Sequence, residues 1–311
     1  MKFLIYFVLP ILLFCFSFSL NADNNRNNRR IKEHLKEFGV KNAKELEEQA
    51  MHYCKEGTYN LAINRYITLQ TWFPKYKLPE DTLLLIAGLQ FKANKPKSSL
   101  NTIEEFGTKF PDSPKITQLV SLAYEIGKNF TLQENEHYKS VSSSLYAIQA
   151  FDFVIQHDPF SPEASNGLLS IAIINMKSKL WNDAIIRLKE IQHKQPETEF
   201  SAKADVYLGE CYLRLNKGSS YSKEYLNSAL RYLESYEKQN PKGKDIKYVK
   251  LLLQEAYLRN GLSLIKNIRY YCTCKKWKAA SFYIEKILAD PKLSAVTKEA
   301  KALKEYVAKR L

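Results

Sequence analysis

An all-α fold, built from helix hairpins stacked in series, follows from three features of this 311-residue sequence. The first is a spacing that recurs five times: a small residue, an apolar one four later, another three after that, and a proline five further on. It reads Ala62-Tyr66-Leu69-Pro74, Ser99-Ile103-Phe106-Pro111, Ala147-Phe151-Val154-Pro159, Ala184-Leu188-Ile191-Pro196 and Ala229-Leu233-Tyr236-Pro241. Steps of four and three put the first three residues on one helical face. Proline lacks an amide hydrogen and clashes with the preceding turn, so it marks the stop. A sixth copy, Ala280-Ile284-Ile287-Pro291, has its proline one residue early. The second feature is a further helical segment ahead of each copy, such as Leu208-Gly209-Glu210-Cys211-Tyr212. The third is composition: 45% hydrophobic content with only ten glycines and eleven prolines argues against disorder.

Such copies are the second helices of tetratricopeptide repeats, which bury their apolar face only against neighbouring repeats. The predicted fold is a tetratricopeptide-repeat solenoid of about five to six helix pairs with a C-terminal capping helix. The first repeat pairs residues 43–55 with 61–72 across Glu56-Gly57-Thr58-Tyr59, where glycine releases the backbone into a tight turn. The second pairs 79–91 with 97–110. The third has a first helix over 116–127, then a polar, serine-rich interruption over 128–143, with the second helix starting near 145. The fourth spans 162–196. The fifth follows it and contains the turn Lys217-Gly218-Ser219-Ser220. The last has a first helix over 246–271, a corner at Lys275-Lys276, and a second helix over 277–290. Residues 295–309 should close the stack. Each interior helix should bury three or four large side chains, so Phe151→Asp should unfold its surroundings.

The N-terminus bears on compartment. Met1-Lys2 precedes an apolar run from Phe3 to Phe18, after which Asn and Arg dominate through Arg30. A basic start before an apolar stretch reads as an export signal over 1–19, followed by a flexible tether over 20–42. Leu12-Leu13-Phe14-Cys15 resembles a lipobox, which makes Cys15 a lipidation candidate, although Phe14 stands where such sites want a small residue. Cleavage after Ser17-Phe18-Ser19 and retention as an anchor are the alternatives. The net charge of +14 is spread along the whole chain, as solvated helix faces are, with an anionic surface as the sharper reading. Besides Cys15, the cysteines are Cys54, Cys211, Cys272 and Cys274; none forms a zinc-type pair, and outside the cytoplasm a disulfide is permitted without a connectivity that spacing can fix.

Catalytic patterns do not emerge. His34, His52, His137, His157 and His193 are scattered, with no acidic partner at a regular offset, and no metal ligand set or cofactor motif is found. No phosphate loop or nucleophile elbow is present. Adjacent acids such as Glu47-Glu48 and Glu104-Glu105 project about 100° apart on a helix and read as solvated faces. Enzymatic activity is therefore not expected. Aromatic residues carry more: twenty tyrosines and sixteen phenylalanines exceed what packing positions need. Trp72-Phe73 with Lys75-Tyr76, and Tyr270-Tyr271 with Trp277, are the clusters that inter-repeat packing or partner binding could use.

Three stretches, Tyr59-Asn60-Leu61-Ala62-Ile63 running on to Trp72-Phe73-Pro74, Lys109-Phe110-Pro111-Asp112-Ser113-Pro114, and Tyr270-Tyr271-Cys272-Thr273-Cys274-Lys275-Lys276-Trp277-Lys278-Ala279-Ala280, carry a resemblance. Over about residues 45–305 the chain resembles the BamD-like outer-membrane protein assembly lipoproteins. The resemblance implies a non-enzymatic periplasmic scaffold at the outer membrane, held there by a lipid anchor. Residues 43–198 would receive unfolded outer-membrane proteins, with Trp72, Phe73, Lys75 and Tyr76 as substrate candidates. Residues 199–311 would dock a POTRA domain of the barrel-forming partner, with Tyr270, Tyr271, Trp277, Tyr283 and Glu285 as partner candidates. Tyr283 stands where relatives place an arginine. Two other readings remain: a cell-envelope adaptor for cell-wall and outer-membrane processes, and a basic solenoid binding nucleic acid, the less expected partner.

Overall fold

The computed structural model describes residues 31–33, 35–73, 75–76, 79–133, 141–196, 198–216 and 223–311. The export signal at 1–19, Cys15 and the Lys217-Gly218-Ser219-Ser220 turn lie outside the described residues. Among the described residues the fold is all-α. Its helices are α1 (Ala43–Lys55), α2 (Tyr59–Trp72), α3 (Glu80–Lys92), α4 (Pro96–Lys109), α5 (Ile116–Gln133), α6 (Val141–His157) and α7 (Pro162–Lys177). They continue with α8 (Trp181–Lys194), α9 (Glu199–Leu215), α10 (Lys223–Gln239), α11 (Ile246–Thr273), α12 (Trp277–Ala289), a 3-10 turn (Pro291–Val296) and α13 (Thr297–Ala308). These make six helix pairs of tetratricopeptide type and a closing helix. Two compact units divide the chain between Ile126 and Gly127, inside α5.

The recurring register accounts for the core. All three helical positions of all six copies are buried, none more than 4% exposed. Ser99, which stands where the other copies have alanine, satisfies its hydroxyl by donating to the Ala87 carbonyl at 2.7 Å. Each second helix ends two residues before its proline, as the missing amide requires. Small residues let the helices of a pair approach: a Cβ built on Gly209 would lie 2.5 Å from Leu233 Cγ, so only glycine fits there.

The turns repeat as faithfully as the helices. Gly57, Asn94, Lys179 and Lys275 occupy the same place in four hairpins, each with φ between +55° and +76°. Their amides bond back to Cys54, Phe91, Met176 and Cys272, and the next amides reach the carbonyls of Tyr53, Gln90, Asn175 and Tyr271. This paired closure satisfies the last carbonyls of the first helix while the chain reverses. Three of the four positions tolerate a side chain in the left-handed region, at a local cost of about 1–2 kcal/mol each.

Several expectations change. The serine-rich interruption expected over 128–143 is largely helical: α5 runs on to Gln133 and α6 begins at Val141, leaving 134–140 outside the described residues. Phe130 is buried and its ring lies 5.4 Å from Tyr146, a tertiary contact that extends both helices. Of the tether expected over 20–42, residues 31–33 and 35–37 are helical and Leu35 is buried. The Arg65 guanidinium then covers the Phe38 ring at 3.8 Å. His52 does have an acidic partner, Glu56, four residues on at 3.1 Å, near the end of α1. Glu47 is no solvated side chain, because its carboxylate accepts from the hydroxyls of Tyr76 and Thr82.

Polar ties join successive hairpins within the second unit. Arg187 pairs with Asp152 at 3.0 Å, and the Gln192 amide donates to the Asp205 carboxylate. Burial pushes Asp205 up to about 6 against this bond. Glu234 accepts from Tyr257 at 2.6 Å and Lys292 at 2.7 Å, fastening the 3-10 turn across α10 and α11.

Candidate functional site

The two aromatic clusters singled out by sequence meet different surroundings. Trp72 ends α2 and Phe73 is its C-cap, donating its amide to the Leu69 carbonyl at 3.0 Å. Both are half-buried, as is Tyr76, whereas Lys75 is exposed. The Tyr76 hydroxyl donates to Glu47 Oε2 at 2.6 Å, and Thr82 donates to the other oxygen of that carboxylate at 3.2 Å. The carboxylate next to the phenol pushes Tyr76 up to about 12. The connection between the first and second repeats is thus bolted to α1, and its tyrosine hydroxyl is already engaged.

At the end of the second unit the arrangement opens outward. The helix pair α11 and α12 carries a chain of four rings: Tyr270 meets Tyr271 edge-on at 5.5 Å, Tyr271 stacks on Tyr283 at 5.5 Å and 15°, and Tyr283 meets Phe282 at 5.5 Å. The inner pair is half-buried against the core. Both outer rings face solvent, Tyr270 at 62% and Phe282 at 66% exposure. The Tyr283 phenol beside Tyr271 pushes that phenol up, and the Cys274 thiol does the same to Tyr270. Both phenols therefore stay neutral at physiological pH. Lys275, Lys276 and Lys278 stand exposed at the neighbouring corner.

Trp277 and Glu285 do not join this chain of rings. Trp277 packs against the core and meets Tyr306 of α13 at 6.3 Å, with Arg310 3.6 Å above the Tyr306 ring. Glu285 pairs with Lys304 at 2.8 Å, tying α12 to α13 in a solvent-exposed bridge of modest worth. Of the partner candidates, Tyr270, Tyr271 and Tyr283 lie together. Phe282 was missed, although its place beside Tyr283 on a helix that also carries Trp277 was a usable signal.

Chemically, the terminal hairpin offers large, rigid apolar contact area with few rotatable bonds, the kind of surface that dominates binding energy at protein interfaces. Among the described residues no group of three or more His, Cys, Asp or Glu could hold a metal ion, and Cys54, Cys211, Cys272 and Cys274 are free thiols. None of the described helices is long and apolar enough to cross a membrane.

Comparison with protein-family models and with curated proteins gives no match. Solved structures give broad likenesses at low identity. A thermophilic tetratricopeptide protein of Thermus thermophilus is 13% identical over 68% of this chain and 99% of its own, with a TM-score of 0.35. A tetratricopeptide repeat protein from Parabacteroides merdae is 12% identical over 86% of this chain and 88% of its own, at 0.32. PilW, described as a widely conserved type IV pilus biogenesis factor, is 16% identical over 82% of this chain and 98% of its own, at 0.31. With scores of this size, the fold assignment rests on the helix pairs and their buried register.

Proposed function

We propose that this protein is a non-enzymatic scaffold of the outer-membrane β-barrel assembly machinery, working on the periplasmic face of the outer membrane. The observation that carries the interaction role is the chain of four rings on the terminal hairpin, whose outer members are more than 60% exposed although every register position around them is buried. A surface of that kind costs solubility unless something covers it. On this reading Tyr270, Tyr271, Tyr283 and Phe282 receive a POTRA domain of the barrel-forming partner, with Trp277 and the Glu285 bridge holding the hairpin in shape. The connection carrying Trp72, Phe73, Lys75 and Tyr76 is the proposed landing place for unfolded outer-membrane proteins. There the lysine would attract a terminal carboxylate and the half-buried rings a terminal aromatic. The sequence resemblance supports the specific machinery, and the apolar run before Cys15 supports export and anchoring.

Two measurements test it. Depleting the protein should lower the amount of folded β-barrel protein in the outer membrane, and a depletion strain that inserts barrels normally would end the proposal. The mass of the mature N-terminus should include a diacylglycerol adduct on Cys15. An unmodified Met1 in a cytosolic fraction would instead favour a cytoplasmic solenoid, for which nucleic-acid affinity falling steeply with salt is the matching sign.

A further inference from the structure

We infer that α11 carries a second docking surface, separate from the aromatic patch, that accepts an acidic amphipathic helix. Tyr248, Leu251, Glu255, Leu258 and Leu262 follow one another at alternating intervals of three and four, so they form a single stripe along the helix. From Tyr248 to Leu262 the stripe is about 21 Å long. Its four apolar members are exposed, Leu251 at 62%, Leu262 at 50%, Leu258 at 41% and Tyr248 at 39%, whereas the residues between them, Leu252, Leu253 and Ala256, are buried in the core. One helix thus has two apolar faces, and only one of them is covered.

Charge selects the occupant. The single acid in the stripe, Glu255, is held by Arg259 at 2.7 Å and by Arg214 at 3.1 and 3.2 Å, and Arg214 also pairs with Glu210 at 3.6 Å, so these charges balance and the basic rim falls to the lysines. Arg259 is fixed in turn by the carbonyls of Leu213 and Asn216, and cannot swing away. Lys247, Lys250 and Lys266 flank the stripe, exposed. An apolar seam with a basic rim suits a helix with leucine-like residues on one face and acids beside them, laid along α11. A second copy of this chain fits poorly, since it brings the same basic rim to a protein of net charge +14. The basic segment 21–30, with Arg26, Arg29 and Arg30 against Asp23 alone, is mismatched for the same reason.

This inference rests on the scaffold reading, and its test separates the two. The probe is a labelled 21-residue synthetic helix with leucines at its a and d positions and glutamates at its e and g positions, titrated against the full chain by fluorescence anisotropy. A control peptide carries lysines in place of the glutamates. The acidic helix should bind at least tenfold more tightly than the basic one, weaken with added salt, and lose at least tenfold in affinity to Leu251→Ser/Leu258→Ser. Tyr270→Ala/Phe282→Ala should bind it as the unmodified chain does, so loss of the patch and loss of the stripe are read apart. Unchanged circular dichroism confirms that the variants are folded, and Leu262→Ser serves as a milder variant. Equal binding of both peptides, no binding, or a wild-type dimer that Leu251→Ser/Leu258→Ser converts to a monomer would overturn the inference.

Discussion

The connection after α2 and the hairpin of α11 and α12 both gather aromatic side chains, and they use them in opposite ways. In the first, the Tyr76 hydroxyl is spent on Glu47 at 2.6 Å, so the rings brace two repeats against each other. In the second, Tyr271 and Tyr283 stack on each other and hold Tyr270 and Phe282 out in solvent. A single residue type thus either locks a repeat array internally or equips it for recognition, depending on whether a carboxylate or water lies at its edge. The general lesson concerns repeats: uniform burial of the register leaves only the connections and the ends free to specialise.

The comparison can be broken at several points. The largest effect belongs to a wholly internal ring: Phe151, 1% exposed and wedged against Gly127 and Gly167, should not tolerate a charge. Phe151→Asp should abolish the cooperative melting transition, since even truncating such a ring costs about 3–5 kcal/mol. An unchanged melting curve would contradict the packing account. Next comes Tyr76→Phe, which removes a hydrogen bond to a carboxylate and should cost about 1–2 kcal/mol in urea unfolding. Tyr270→Ala and Phe282→Ala should shift stability by no more than about 0.5 kcal/mol. If both regions respond alike, the contrast between them disappears.

Smaller effects sharpen the picture. Lys275, at φ +55° in the corner beside the aromatic patch, should accept glycine with a gain of about 1 kcal/mol and no loss of partner binding, as measured by urea midpoints and affinity. Asp205 offers the smallest test. Burial raises its carboxyl from 3.8 to about 6, so the folded state holds that proton more tightly than the unfolded chain does. Its contribution to stability therefore falls as pH rises from about 4 to about 6 and stays low above. Relative to Asp205→Asn, the unmodified chain should lose about 1 kcal/mol or less between pH 4 and pH 7, because the site is only half-buried. A difference independent of pH would show that the carboxyl does not titrate there.

Much of the fold was legible because local rules repeat. Copies such as Ala184-Leu188-Ile191 declare their buried face by spacing alone, and prolines such as Pro241 declare the helix ends. What stayed hidden depended on residues distant in sequence. The extension of α5 past Gly127 rests on Phe130 meeting Tyr146 across the hairpin, and the role of Glu47 rests on a tyrosine 29 residues away. Of the candidate site, Tyr270 and Tyr271 were visible with Trp277 as an aromatic group, and Tyr283 entered only through the resemblance. The separation of Trp277 from them, and the exposure of Phe282, depend on where α13 lies, which no local spacing reveals. The leucine stripe of α11 escaped for a related reason, since a helix with two apolar faces reads as doubly buried until its neighbours are known.

The most direct test of the scaffold account is site-specific photocrosslinking in living cells, with a benzophenone amino acid replacing Phe282 in one strain and the internal Phe151 in another. The account predicts a discrete protein adduct from position 282, identified by mass spectrometry as a POTRA-bearing barrel protein, and none from position 151. A folded protein that gives no adduct at position 282 would contradict it.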